Sequence, residues 1–382
     1  MDLNEPTKAP DWSAIRQDFP TTQDFAYFDI ANKTILPLQV EDAMQEWMRD
    51  IYEHAGARAY SMACIEETRQ TVADTFGAAP DNLSLIKNTS EGINIVAQGF
   101  PWRDGDNVVI SVFEHQNNIF PWRHLKDRGV EVRLAEPDVD GRITIDEYRG
   151  LVDERTRILS VSWVSFGNGY RADIPKLADF CRDRGVKLVV DGIQAVGALA
   201  TPIADLGADV FIAGGHKSQF SVTGAGFMVT NDEMLGMLMP SYAAKNTFAS
   251  GDRLDISLEL ATDGHRFEYG NYNYLGCWVQ KRAAEYIATL GLIHIETRIR
   301  DLTTTLMEQA DRCQIKVRTP RPWSERAGIV SLDLGCHAGE TVARLKTQNI
   351  ITSEKDGHLR VALHIYNSEE DLERLLEAVQ AG

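Results

Sequence analysis

The sequence predicts an α/β protein: a mainly parallel β-sheet covered by helices on both faces, followed by a smaller α+β unit. Three observations lead there. Through the middle of the chain, short β-rich runs alternate with helical ones, and strands joined by helical crossovers pair in parallel. From about residue 255 the texture changes to long amphipathic helices and two strand-like runs. The 382 residues are 43% hydrophobic and 25% charged, an ordinary globular composition and more chain than one compact unit of about 100–200 residues needs.

The polar residues 1–20 read as an arm and short helix leading into the first domain. NLSLIKN is strand-like and precedes the helical TSEGINIVAQGF; DNVVISVF precedes EHQNNIFPWRHLKDRG, read as helical. RILSVSWVS leads into a turn at Asn168-Gly169 and then into the helical IPKLADFCRDRG. KLVVD and ADVFIAG complete the series, and KSQFSVTGAGFMVT reads as a hairpin. Beyond residue 255, YLGCWVQKRAAEYIATLG and IHIETRIRDLTTTLMEQADR are helical, AGIVSLDL and HLRVALHI are strand-like, and SEEDLERLLEAVQ is a final helix. The expected organisation is an arm at 1–20, a large domain at 21–255 and a small C-terminal α+β domain at 256–382.

The formal charge of −17 gives a long-range field that repels polyanions, so nucleic acid and anionic lipid are not expected partners. An anionic substrate would need a local cationic site. MDLNEPTKAPDWS lacks the basic start and apolar core of a secretory signal, and no apolar run approaches the roughly 20 residues that span a bilayer. A cytoplasmic protein is expected. The five cysteines form no CxxC pair and the nine histidines no HxxxH or HxxEH spacing, so neither a zinc site nor other metal binding is expected.

The residues that could carry chemistry follow the strand-like runs: Thr89 and Ser90 after the first, His115 after the second, Asp191 and Gln194 after another, His216 and Lys217 after the next. In open α/β sheets ligands bind beyond the carboxyl ends of the strands. Taken singly, Asp191 reads as a helix cap, Lys217 as a surface charge and His115 as a loop histidine; their joint placement points further. Pyridoxal 5'-phosphate (PLP) needs an amine to hold its aldehyde, a carboxylate to keep its pyridine nitrogen protonated and an anion site for its phosphate. Lys217, Asp191 and the start of the TSEGIN helix could supply these, with Gln194 donating to the ring's phenolate oxygen and His115 stacking on the ring face. Thr89 and Ser90 would add hydroxyl donors to the helix N-terminus, Gly92 would allow close backbone approach, and His216 would be a further phosphate donor. Simple helix capping is the alternative for Thr89 and Ser90.

The run VVDGIQAVGALATPIADLGADVFIAGGHKSQFSVTGAGFMV resembles the core of class V aminotransferase-fold enzymes, in the branch of group II cysteine desulfurases, selenocysteine lyases and isopenicillin-N epimerase. The likeness extends from FAYFDIANKTILP to LRVALHIYNSEEDLERLLEAV, almost the whole chain. It implies the PLP-dependent transferase fold type I, with a seven-stranded sheet in the large domain. It also implies Lys217 as the Schiff-base lysine and carrier of the substrate's Cα proton, Asp191 as the pyridine-nitrogen partner, Gln194 as the phenolate contact and His115 as the stacking histidine. Ser90, with Thr89, and His216 resemble the phosphate ligands. Asn271, in FEYGNYN, stands where the family commonly has a threonine reaching the neighbouring subunit's phosphate, and Arg360 matches the arginine that grips the substrate carboxylate.

The departures matter as much. Group II desulfurases carry a nucleophilic cysteine just before the segment equivalent to LRVALHIYN; here NIITSEKDGHLR has none and reads as shortened, while Cys336 lies a strand and a helix earlier. The serine usual before the lysine is Gly214, and the family's asparagine after the third strand is Phe166. The expected function is therefore a PLP enzyme acting on a small amino acid, of the aminotransferase or C–S/β-elimination lyase type. Epimerisation, with His115 or Tyr170 as second acid/base, and decarboxylation or oxidative deamination are alternatives, and a non-catalytic scaffold is the contrasting class. Tyr60, Trp163, Phe166 and Tyr269 are candidates for the pocket wall, with core packing the expected role for at least half of them. A homodimer with Asn271 completing the other subunit's site is expected.

Overall fold

The computed structural model describes residues 8–381. The helix of the N-terminal arm spans Trp12–Arg16, with the Asp11 carboxylate accepting from the backbone N–H groups of Ser13 and Ala14; residues 1–7 of that arm lie outside the described residues.

After a short strand β1 (Ala26–Tyr27), the strands β2 (Leu83–Ile86), β3 (Asn107–Ser111), β4 (Glu131–Ala135), β5 (Thr156–Ser162), β6 (Lys187–Asp191), β7 (Val210–Gly214) and β8 (Gly226–Thr230) form one seven-stranded sheet, ordered β2-β8-β7-β6-β5-β3-β4. β8 runs antiparallel to both neighbours; the other four pairings are parallel. The expected α/β class and mainly parallel sheet are thus present.

Side-chain alternation explains why the sheet is covered twice. Val108, Ile110, Ile158, Val189, Val210 and Ile212 lie in one buried cluster, while Val109, Leu159, Val161, Leu188, Val190 and Phe211 lie in another. Neighbouring residues point to opposite faces, so both faces are apolar and both need helices. Each such side chain stabilises the fold by about 1.5–3 kcal/mol relative to exposure. Gly92, in the helix Thr89–Gly99, belongs to this packing: a Cβ there would lie 2.6 Å from Ile212 Cγ2. Its close approach is to the sheet.

Two local readings need correction. EHQNNIFPWRHLKDRG is not one helix but three short turns, Gln116–Asn118, Phe120–Arg123 and His124–Arg128. Pro121 lacks the N–H that would continue the preceding turn, and Gly129 ends the last with φ +73°. In KSQFSVTGAGFMVT only Gly226–Thr230 is a strand, and its partners are β7 and β2. Gly215 donates to the Ala225 carbonyl, so the chain between them, including Lys217, is a loop closed at the end of β7.

The later strands are β9 (Lys316–Val317), β10 (Ile329–Asp333), β11 (Ile350–Ile351), β12 (Ser353–Lys355) and β13 (His358–Ala362). β12-β13-β10-β9 form a four-stranded antiparallel sheet, while β11 pairs in parallel with β1. Ala26 and Phe28 are buried in the same cluster as Val330, Leu359 and Val361. The Phe28 carbonyl accepts from Ala362 N–H, and Arg16 pairs with Asp371 at 2.6 Å. The start of the described chain is therefore sewn into its end. Among the described residues no helix is long and apolar enough to cross a membrane.

Candidate active site

The carboxyl ends of the parallel strands deliver the side chains. Asp191 is the last residue of β6, Ser162 the last of β5, and Lys217 follows β7 by three residues. Together with Thr89, Ser90, His115, Phe166, Gln194, His216 and Arg360 they line one cavity. Eight of the nine side chains singled out from the sequence thus converge; Asn271 does not line this cavity. It is exposed, in a neighbouring cavity that shares Asn88 and Gly224 with the first.

Asp191 is 6% exposed, and its Oδ1 accepts from Ile193 N–H at 3.0 Å. Burial pushes its carboxyl up to about 6, against the pull of that hydrogen bond and of Lys217. Burial brings Lys217 down to about 8, with Asp191 acting in the opposite sense. The two groups feel each other, yet Asp191 has no ion-pair partner among the described residues. A buried carboxylate with no cation in contact is poorly solvated and unpaired; the ring nitrogen of PLP, protonated, would supply the missing charge.

The other donors fit the same group. Gln194 uses Nε2 to donate to the Ala31 carbonyl at 2.9 Å, which leaves one amide hydrogen for a second acceptor. His115 accepts from Asn117 N–H at Nδ1, 3.2 Å, so its proton resides on Nε2. Burial first, then Lys217, Lys355 and Arg360, lower its pKa and keep the ring neutral. Burial lowers His216 to about 4, and its Nδ1 is buried with no hydrogen-bond partner. The helix Thr89–Gly99 aims its N-terminus here, but its cap is Asn88, whose Oδ1 accepts from Glu91 N–H at 3.0 Å. Neither Thr89 nor Ser90 is the cap. Thr89 Oγ1 accepts from Gly214 N–H at 3.2 Å, tying the helix to the lysine loop.

Arg360, 2% exposed, enters from the antiparallel sheet. Nε donates to Ser353 Oγ at 2.9 Å, Nη1 to the Phe166 carbonyl at 2.9 Å and Nη2 to Asp29 Oδ1 at 3.1 Å. Three of its five N–H groups are spoken for and the plane is fixed, leaving two for a substrate.

Several residues are not legible in the sequence. Lys355, on the tight β12–β13 hairpin, lines the cavity, and no local motif marks it. Glu114 is fully buried behind the site, where both oxygens accept from Ser162 and Oε2 also from Asn118 Nδ2; burial pushes it up to about 7. Of the aromatic wall candidates only Phe166 reaches the cavity, edge-on to His115 with ring centroids 5.3 Å apart. Trp163 packs on Phe211 in the core, Tyr60 is exposed against Trp47 and Tyr274, and Tyr269 lies in the neighbouring cavity. Tyr170 donates to the Ile143 carbonyl and does not line the cavity. Cys336 is exposed and no cysteine lines the cavity.

A family model described as aminotransferase class-V matches residues 26–375. A cysteine desulfurase of Salmonella dublin is 30% identical over 95% of this chain and 96% of its own. Among solved structures, the apo cysteine desulfurase of Thermococcus onnurineus NA1 superposes with a TM-score of 0.89 at 26% identity, covering 98% of each chain. A lysine-to-alanine mutant of C-DES, with glycine covalently linked to the PLP cofactor, shares the fold at a TM-score of 0.88 and 21% identity, covering 97% of this chain and 98% of its own.

Proposed function

The chain belongs to the aminotransferase class-V family and is a PLP-dependent enzyme, and from that premise we propose that it is a lyase that uses Lys217 to release the β-substituent of a small amino acid. The observation that carries the reading is that buried Asp191 and half-buried Lys217 line one cavity without neutralising each other. When bound, PLP supplies an aldehyde that captures amino groups and a ring that withdraws electrons from the substrate's Cα.

The protein's part is to bind, orient and move protons. Asp191 would hold the ring nitrogen protonated, and Gln194 would offer its free amide hydrogen to the phenolate oxygen. Neutral His115 covers the ring face. The N-terminus of Thr89–Gly99, the Ser90 hydroxyl and His216 take the phosphate, where a neutral imidazole donates without adding charge. Lys217, lowered towards 8 by burial, would hold the aldehyde through its own amine and, once the substrate's amine displaced it, take the Cα proton at Nζ. Arg360 presents its two remaining N–H groups to the α-carboxylate, held flat by Asp29, Ser353 and the Phe166 carbonyl.

Several similar proteins are named cysteine desulfurases, which favours a C–S or comparable Cβ bond as the one broken. The cavity offers no thiol to retain sulfur, so the leaving group would depart into solvent. Residues 21–255 would hold the cofactor and 256–382 the substrate carboxylate. In a homodimer, Asn271 on the adjoining cavity would reach the other subunit's phosphate site.

Purified protein given PLP should turn yellow, and a panel of amino acids should then yield a keto acid with release of the β-substituent and no amino acceptor. Protein that stays colourless would overturn the PLP roles assigned above; product formation that depends on an added keto acid would replace the lyase by an aminotransferase, and racemised amino acid without keto acid by an epimerase.

A further inference from the structure

The hairpin joining β12 and β13 turns through Asp356 and Gly357, both at positive φ, +51° and +78°. Two such residues make the tight turn whose twist matches a hairpin, and they fix the register at Lys355 opposite His358 and Ser353 opposite Arg360. Side chains two apart on a strand share a face. Lys355 therefore stands on the same face as Ser353 and Arg360, one step nearer the tip, as a diagonal neighbour of the arginine.

The surroundings leave its charge unused. Arg360 is offset by Asp29 at 3.1 Å. Lys355 has no ion pair among the described residues; its ammonium lies 5.8 Å from the centre of the Phe166 ring, and both line the cavity with Lys217. Of the acids on its other side, Asp138 and Asp140 pair with Arg142 and Asp333 with Arg318, while Asp356, the next residue, is exposed and makes no ion pair among the described residues. Lys33, the remaining cation of the cavity, acts on His216, at the phosphate end. A second positive group thus faces the substrate end of a protein whose net charge is −17.

Resting on the reading that this cavity takes an amino acid, we propose that Lys355 binds an anionic group at the end of the substrate's side chain, so that the preferred substrates are short amino acids bearing a carboxylate or a similar oxyanion there. Diagonal cross-strand neighbours are roughly 7–8 Å apart. At that backbone spacing two long cationic side chains on one face can address the two ends of one short dicarboxylate. Phe166 supplies an apolar floor beneath the lysine, which excludes water from one side of the pair.

The test uses the PLP-loaded enzyme and two inert four-carbon acids, maleate with two carboxylates and isocrotonate with one, titrated by calorimetry against the wild type and the variants Lys355→Met and Lys355→Arg. Maleate should bind about 10- to 100-fold more tightly than isocrotonate, the range of a charge-assisted hydrogen bond. Lys355→Met should abolish that preference while isocrotonate affinity stays within about threefold, and Lys355→Arg should restore most of it. Equal affinity of the two acids for the wild type, or an undiminished preference in Lys355→Met, overturns the inference and leaves the PLP reading standing. Failure of the wild type to take up PLP overturns that reading, and the inference with it.

Discussion

Asp191, at the rim of the parallel sheet, and Arg360, on the antiparallel sheet, are both nearly inaccessible charges, 6% and 2% exposed, and the molecule treats them in opposite ways. Asp191 has one backbone donor and no cation in ion-pair contact among the described residues, and its carboxyl rises to about 6. Arg360 has a carboxylate, a hydroxyl and a carbonyl around it. A buried charge without a partner marks a place where a permanent guest supplies the counterion; a buried charge fully held marks a tool kept rigid for a passing one.

The largest expected effect sits beside the first. Lys217→Ala should lower turnover by at least about 10³-fold, as loss of an amine that both binds and moves a proton implies, and should remove the yellow absorbance; a fully active variant would end the assignment. Arg360→Ala should be felt mainly as stability, because it strands Asp29 in the interior: about 3–5 kcal/mol by denaturant unfolding, with kcat/KM for the amino acid falling as well. If unfolding is unchanged, the held arginine is not the rigid member of the pair.

Asp191→Asn should act in the opposite sense on the cofactor-free protein. The native carboxyl titrates near 6, above the 3.8 of an ordinary aspartate, so between those values the folded state binds more protons than the unfolded one and stability falls as pH rises. Above that window the cost is fully present. The asparagine variant, without a charge to bury, should be more stable than wild type at pH 7 by about 1–3 kcal/mol, a difference that disappears below about pH 4, while PLP binds about 10- to 100-fold more weakly. A destabilised apo variant at pH 7 would break the contrast. Cys336→Ser, exposed and away from the cavity, should change kcat/KM by less than about twofold and stability by under about 0.5 kcal/mol; a large loss would bring a thiol back into the chemistry.

The two regions also differ in how far the sequence foretells them. Thr89, His115, Asp191 and Lys217 are legible because each follows an apolar β-run, and parallel strands bring their carboxyl ends to one edge whatever the loop details. Lys355 is not, because its position depends on a two-residue turn and on register, which a one-residue slip would invert. Arg360 can be matched by resemblance, but its ties to Asp29 and the Phe166 carbonyl join segments distant in the chain. The broken turns of 116–128 escape a sequence reading because apolar spacing suggests one helix where Pro121 forbids it.

The sewing of Ala26–Phe28 and Asp29 onto 349–362 sets an order of events during synthesis. Everything that surrounds Asp191 and Lys217 on the parallel sheet has left the ribosome once β8 is made, but Asp29 must wait more than three hundred residues for Arg360. On the roles proposed for Lys217, Asp191 and Arg360, a nascent chain would complete its vitamin-binding half long before it possessed a grip for the amino acid, and the first-made segment is clasped by nearly the last.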